Sequence, residues 1–569
     1  MIMAQQPLQA PAHRLLRKAF KTATGNPGFE YGGRNKFRAA LMQKKAIVTD
    51  NLKEMLRGTR PAITIDIWTS KSNAGFIAMT VHYIKTSSSE WAMKTGTCAC
   101  EAFDGSHTGA RVGAKVMGIL KQLGLEKSVI SVTSDAAANM KNGIEKHTPS
   151  SIAWIGCVAH KMERNVQAYV SDPGLKKTLD VFRRAAAHLD KSAMSQRCFE
   201  NAQRARFKSK QPQKIPLGCP TRWWSWWDML SVALEHRSSL TSTIEIANDR
   251  TGGPGIIITD EDWKNAEEMT RMLAPFHEAV QSLEGDHVTA PLVPCVMSVL
   301  NSHIEAEGSA LGASSANGLA GDTELNNPAD RWDELPDPIK IATAVSARTK
   351  GLDWLSDDEK KAWRDVVLRT CRGLFREDIQ REMEVSSTGS DVRKTSENLD
   401  ESDEVTQVAK KRKRSWVTRC IITCKAMGGK DNAEDEDEGD DASGTGGVPR
   451  LPGNSLQGRM EDAKSELVRF VAATGLDDDD TGDNELAWWC RHQFAYPTIA
   501  RVAAMYLAIP ASSAASERVF SSAGSTVTYN QRNLLGDDIV DALVFLFGAH
   551  GLAWSTGLSD ADLADIKEN

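Results

Sequence analysis

Hydrophobic and polar positions alternate most regularly between residues 62 and 103. In residues 62–68 (AITIDIW), Ile63, Ile65 and Ile67 fall on one face and Thr64, Asp66 and Trp68 on the other, the period-two pattern of a half-buried strand. Residues 76–85 (FIAMTVHYIK) predict a second strand and 91–103 a third. The period then changes. Val112, Val116, Ile119, Leu120 and Leu123 recur at helical spacing over 107–123. Residues 129–133 (VISVT) predict a fourth strand that ends at Ser134-Asp135, and 152–156 a short fifth running into a helix from about Ala159. Three meander-like strands, a helix, a strand, a helix and a strand predict a layered α/β core.

From about 190 to 485 the pattern is mostly helical, as in 262–283 and 358–383. Two low-complexity stretches interrupt it, 305–327 and about 385–456. The second holds too little apolar surface to offset its ordering entropy, which predicts disorder. Order returns near the C-terminus. Pro497 suits a first helical turn, and Ile499, Val502, Ala503, Tyr506 and Leu507 follow at helical spacing. Pro510 ends that helix, Ser512 and Ser513 can cap the next, which carries Glu517 and is expected to stop near Gly524. A last helix, 538–547 (DIVDALVFLF), is apolar on most sides, which suits a buried or partner-covered position. The domain reading is a basic, mainly helical region 1–60, a core 61–190, a helical insertion 191–485, a C-terminal region 486–550 and a tail 551–569.

Charge changes the picture only when it is located. The net −6 argues against a nucleic-acid binder. Yet 431–441 (DNAEDEDEGDD) holds eight acids and no base. The first 60 residues carry 12 Lys/Arg against 3 Asp/Glu, and 191–223 carries eight basic residues against Glu200 alone. Two basic regions and an acidic loop are a polyanion-binding pattern. The run 410–414 (KKRKR) predicts nuclear import. No apolar run is long enough for a membrane span, the N-terminus has no secretory stretch, and the 10 cysteines offer no four-ligand zinc spacing. Reduced thiols in the cytosol or nucleus are expected.

Three acids stand out. Asp66 lies mid-strand, Asp135 at the end of another strand and Glu517 on a helix. An acid in a strand of an α/β core is costly unless paired or bound to metal, and two or three converging could hold a pair of Mg²⁺ ions for phosphodiester displacement. The plain alternative is a helix-capping Asp135, a solvated Asp66 and a surface Glu517. Residues 221–227 (TRWWSWW) carry four of the 15 tryptophans. Arg222 can bridge phosphate oxygens and Trp223 can stack on an unpaired base, whereas Trp226 and Trp227 sit at core spacing. Cys157-x-x-His160 could supply half a zinc site, but no second half is evident.

Taken together, ITIDIWTS, VHYI, SVTSDAAANM, CVAH, TRW and the block WWCRHQFAYPTIARVAAMYLAIPASSAASERVFSSAG…RNLL resemble the hAT superfamily of DNA transposases. The resemblance implies a ribonuclease H-like core interrupted by a long helical insertion, with a helical C-terminal region (486–550) through which copies dimerise. It implies that Asp66, Asp135 and Glu517 are the catalytic, metal-binding acids, served by Mg²⁺ or Mn²⁺. Arg222, Trp223, Cys157 and His160 would contact or position DNA in a nuclear protein. The implied chemistry is strand cleavage, hairpin formation and strand transfer. The chain departs from the family pattern in several places. No BED-type zinc finger is recognisable, Ala136 and Ala138 follow the second acid, and Ser346-Ala347-Arg348-Thr349-Lys350 occupies an Asp-Pro-Arg-Phe-Lys segment. The competing expectation is therefore a transposase-derived DNA-binding and dimerisation protein without catalysis.

Overall fold

The structure is a computed structural model that describes residues 34–69, 75–206, 211–218, 224–250, 252–311, 335–388, 455–473, 484–527 and 537–553. The low-complexity 312–334 and 389–454, with the acidic and KKRKR runs, and the Arg222-Trp223 pair lie outside the described residues. The fold is mixed α/β and mostly helical. It divides into two compact units, one formed by Met1–Gly156, Glu284–Val293 and Leu335–Asn569 and the other by Cys157–Leu283 and Pro294–Glu334.

The first unit begins with helix α1 (Arg34–Leu56) and strands β1 (Ala62–Thr69), β2 (Gly75–Thr86) and β3 (Trp91–Ala102). Helix α2 (Gly109–Leu123), β4 (Ser131–Ser134), α3 (Ala138–His147) and β5 (Ala153–Gly156) follow. The strands form one sheet in the order β3-β2-β1-β4-β5. The meander pairs antiparallel, whereas β1–β4 and β4–β5 are parallel, because a helix crossover separates each of those pairs. Every predicted strand is present. Helix α2 buries Val112, Val116, Ile119, Leu120 and Leu123 and stops at Gly124, whose φ of +70° is the left-handed conformation a helix end favours.

The second unit is helical: α4 (Val158–Val170), α5 (Pro173–Lys191), α6 (Ala193–Arg206), α7 (Trp224–Glu235), α8 (Arg237–Asn248), α9 (Asp260–Leu283) and α10 (Val293–Leu311) from Pro294 on. Its helices start at caps legible in the sequence. Asp172 accepts from the Gly174 and Leu175 amides at 2.8 and 3.1 Å beside Pro173, and Thr259 and Asp262 bond reciprocally at 2.9 and 3.1 Å. Phe182 packs edge-on to Trp263 at 5.0 Å. Trp226 is buried and Trp227 stacks on His277 at 4.0 Å, the core role their spacing predicts.

The chain then returns to the first unit through α11 (Asp337–Val345), α12 (Asp357–Thr388), α13 (Leu456–Ala472), α14 (Asn484–His492), α15 (Pro497–Tyr506), α16 (Ala514–Val527) and α17 (Asp537–Ala553). Residues 335–388 and 455–473, which the sequence reading puts in the insertion, thus pack in the same unit as the sheet. Helix α12 continues to Thr388, inside the stretch expected to be disordered, and α16 runs past Gly524 to Val527. Ile499, Val502 and Ala503 of α15 are fully buried with Trp489 and Phe470, and Val540, Ala542 and Phe545 of α17 are buried in the core that includes the sheet. Each of the Val, Ile and Phe side chains among them contributes about 1.5–3 kcal/mol. Of the two positions that the apolar 538–547 allows, buried or partner-covered, these α17 residues take the first. Close approach enforces one detail. A Cβ on Gly548 would lie 2.7 Å from Thr97 Cβ, so only glycine lets α17 lie this near β3.

Candidate functional site

The parallel pairing of β1 with β4 sets the relation between the first two acids. Thr64 is the register partner of Thr133. Asp66 lies two residues further on within β1 and Asp135 one residue past the end of β4, so the two acids are carried by neighbouring strands. Both are half-buried. The Ile67 amide donates to Asp66 Oδ1 at 2.8 Å, and the Ala137 amide donates to Asp135 Oδ1 at 3.3 Å, a turn that leads into α3. Asp135 thus has the helix-entry role of the plain alternative and also stands beside Asp66.

The third acid is brought to the same sheet face. Thr133 Oγ1 donates to the Pro510 carbonyl at 3.1 Å, fixing the α15–α16 connection on β4. Trp68, two residues beyond Asp66 and on its face, stacks on Phe520 at 5.7 Å, one turn after Glu517. Ser513 starts α16: its carbonyl accepts the Glu517 amide at 3.2 Å, and its hydroxyl donates to Glu517 Oε1 at 3.1 Å. Among the described residues, however, the three carboxylates do not form a cluster with oxygens all within 4.8 Å of one another. The fold brings their elements together without closing the side chains on one point.

Beside them lies a buried polar chain that the sequence reading missed. Thr64 and Thr80 share a hydrogen bond between hydroxyls, Thr80 Oγ1 meets His82 Nε2 at 2.8 Å, and His82 Nδ1 meets Thr95 Oγ1 at 3.1 Å. Burial, with the Arg518 guanidinium adding to it, lowers the His82 pKa to about 3, so the ring is neutral at physiological pH. It stiffens β1–β3 and is no acid–base group. The available signal was Thr80-x-His82 on one strand face, two polar residues in an otherwise apolar run.

Two of the other predicted residues, Cys157 and His160, belong to the second unit. Cys157 is buried at the head of the second unit, where its carbonyl accepts the Lys161 amide at 3.2 Å, and His160 is half-buried in the first turn of α4. The segment 346–350 proves to be a structural knot. Ser346 Oγ and the Ala347 amide donate to buried Glu485 at 3.0 and 2.7 Å. Lys350 Nζ donates to the Phe470 and Ala473 carbonyls at 2.8 and 2.7 Å and lies 4.9 Å from the Phe470 ring. Burial lowers the Lys350 pKa to about 8, against the pull of Glu485.

Comparison with known proteins matches three stretches of the chain. Residues 64–149 match the ZBED1 RNase-like domain, 155–272 the ZBED1 RNase-like helical domain and 466–549 the hAT family C-terminal dimerisation region. A Talaromyces stipitatus protein named as a transcriptional regulator, tpeD, is 23% identical over 87% of this chain and 54% of its own length. Two Zea mays proteins named as AC and AC9 transposases are each 21% identical over 95% of this chain, covering 63% and 64% of theirs. The chain therefore spans between about half and two thirds of the length of these relatives. These matches support an hAT-family transposase or a protein derived from one. The dimerisation-region match supports self-association, and among the described residues no helix is long and apolar enough to cross a membrane.

Proposed function

We propose that the sheet of the first unit is a ribonuclease H-like core that cleaves and joins DNA strands, with Asp66, Asp135 and Glu517 as its acids. The observation that carries this reading is the parallel pairing of β1 with β4, which carries Asp66 within one strand and Asp135 just past the end of its neighbour, with the Glu517 helix packed over the same face. Hard oxygen ligands at this spacing fit Mg²⁺ or Mn²⁺, which prefer one or two carboxylates together with substrate oxygens. A metal pair held there would supply activation of a water or 3′-hydroxyl and stabilisation of the leaving oxygen. The protein's own part is to fix the acids. Backbone amides hold one oxygen each of Asp66 and Asp135, and Ser513 holds Glu517. Arg222 and Trp223 would take a phosphate and an unstacked base, with Cys157 and His160 positioning the strand. Copies would associate through about 486–550 in the nucleus; Val468 and Phe494 are exposed large apolar side chains among the described residues of the matched region 466–549.

The test is conversion of supercoiled plasmid to nicked or joined products with Mg²⁺ or Mn²⁺, compared with Asp66→Asn and Asp135→Asn. Metal-dependent products that both variants abolish support the reading. The second reading, a DNA-binding protein without catalysis, is favoured by the match to a relative named as a transcriptional regulator. DNA binding with no product from the unaltered chain would leave that reading standing and remove the first.

A further inference from the structure

A separate cleft opens at the other end of the sheet. Its volume is about 690 Å³, and five cations line it: Arg60, Lys85, Lys94, Arg381 and Arg501. No acid lines it. Arg60 lies six residues before Asp66 on the segment leading through β1, so the cleft is about 20 Å from the carboxylate pair at roughly 3.3 Å per residue. Its floor is apolar, including Tyr83 and Met505.

The cations differ in how they are held. Arg501 binds Asp378 through both terminal nitrogens at 2.7 and 3.2 Å, Arg381 reaches Asp378 at 3.1 Å, and Arg60 pairs with Glu377. Asp378 is only 18% exposed, and the Arg501 guanidinium holds its carboxyl below the usual range. These acids orient the guanidiniums and leave their outer edges to solvent: the Arg381 and Arg501 side chains are 64% and 46% exposed. Lys85 and Lys94 have no carboxylate partner among the described residues. Lys94 stands opposite Tyr83 in the register, and Lys85 opposite Ala92, so both project from the β2–β3 ladder at the cleft. Five cations against two acids leave an excess of about three positive charges around a concave apolar floor.

We propose that this cleft binds the phosphodiester backbone of a DNA strand, as a contact separate from the carboxylate face. A polyphosphate chain satisfies both halves of the site. Its charges recur at a spacing several cations can meet together, and its sugars can lie on the apolar floor. Pre-oriented guanidiniums lose little freedom on binding phosphate, and the two lysines add positive charge that no carboxylate among the described residues offsets. The inference rests on the DNA-handling reading above and assigns that reading a second place on the same unit.

The experiment measures binding of a fluorescent 30-base-pair duplex by anisotropy in EDTA across a salt series. The full chain is compared with Lys85→Gln/Lys94→Gln, Lys85→Arg/Lys94→Arg and Asp66→Asn/Asp135→Asn, each checked for an unchanged melting temperature. Losing two phosphate contacts should weaken binding about ten- to a hundredfold at 0.1 M salt and flatten the log K against log salt slope by about 1.8. The arginine pair should keep the slope, and the asparagine pair should not weaken binding. A glutamine pair with unchanged affinity and slope overturns the cleft while the DNA reading stands. No binding by the unaltered chain overturns both. Displacement of the duplex by polyglutamate at equal charge concentration overturns the backbone assignment in favour of an acidic peptide.

Discussion

Two charged regions of the first unit follow opposite rules. At the Asp66–Asp135 face, like charges are placed side by side on neighbouring strands and stay half-exposed. At the 346–350 knot, charges are buried but each meets a donor or acceptor of opposite character: Glu485 takes the Ser346 hydroxyl and the Ala347 amide, and Lys350 takes two carbonyls and two aromatic faces. The first arrangement costs stability and has a use only if something positive arrives. The second costs desolvation that its partners offset only in part: burial still raises the Glu485 pKa and lowers that of Lys350. A charged residue in a core is thus no sign of a site by itself. What separates the two cases is whether the protein completes the charge.

The sharpest way to break this comparison is to neutralise one acid of the pair. Asp135→Asn keeps the turn into α3, because an amide oxygen can still accept from Ala137. It should abolish metal-dependent DNA cleavage, by more than the 10–100-fold typical of removing an outer support of a metal site. Stability should stay within about 0.5 kcal/mol or rise slightly, since a like-charge neighbour is relieved. Chemical denaturation and the plasmid assay measure the two sides. Loss of stability comparable to the loss of activity would make Asp135 a structural residue.

The knot should respond in the reverse order. Lys350→Met keeps the stem between Phe470 and Trp488 but leaves two carbonyls without a donor, while Arg348 still faces Glu485 at 3.8 Å. A loss of about 2–4 kcal/mol in urea unfolding is expected, with DNA binding per folded molecule unchanged. The pH dependence has a defined sign. Because the folded Lys350 pKa is about 8 and the ordinary value 10.5, the folded state resists protonation. The cost is present in full below pH 8 and is relieved as pH rises from 8 towards 10.5. The methionine variant should lack that gain.

Much of this was legible beforehand, and the reason differs by element. Strands β1 to β5 declare themselves because one face is apolar and the period is two, so AITIDIW fixes which side Asp66 takes. Trp226 and Trp227 declare themselves by helical spacing. That β1 and β4 are neighbours, so that Asp66 and Asp135 come from adjacent strands, was not legible, because pairing of parallel strands is set by the crossover and its packing, which leave no local pattern. Nor was the knot: Ser346–Lys350 looks like a degraded motif until Glu485 and the Phe470 carbonyl, more than a hundred residues away, are seen to complete it. Burial of α15 and α17 in the chain's own core was equally hidden. An apolar helix reads the same whether its cover is its own sheet or a second copy.

That ambiguity leads to a smaller test. If self-association uses the apolar residues still exposed in the matched region, Phe494→Asp should weaken it. Phe494 is 76% exposed, and its replacement should leave unfolding within about 0.5 kcal/mol. Sedimentation velocity across micromolar concentrations reads the shift. An unchanged distribution would place the contact on other residues of 466–549.

The smallest effect concerns a third charged region, intermediate between the first two. Asp541 of α17 pairs with Lys45 of α1 at 2.9 Å, next to the Lys115–Glu101 pair at 2.6 Å. Burial raises the Asp541 pKa to about 6, although Lys45 pulls it down. The folded value therefore lies above the ordinary 3.8, and the folded state takes up a proton more readily than the unfolded chain. Stability attributable to this group is lowest above pH 6 and increases as pH falls from 6 towards 4. Asp541→Asn cannot follow that change. The stability of the variant relative to the unaltered chain should thus rise by about 1–3 kcal/mol between pH 4 and pH 7, while the acids common to both cancel. A difference that is flat across this range would mean that Lys45 offsets the burial of Asp541 in full, which the partners in the knot do not do for Glu485.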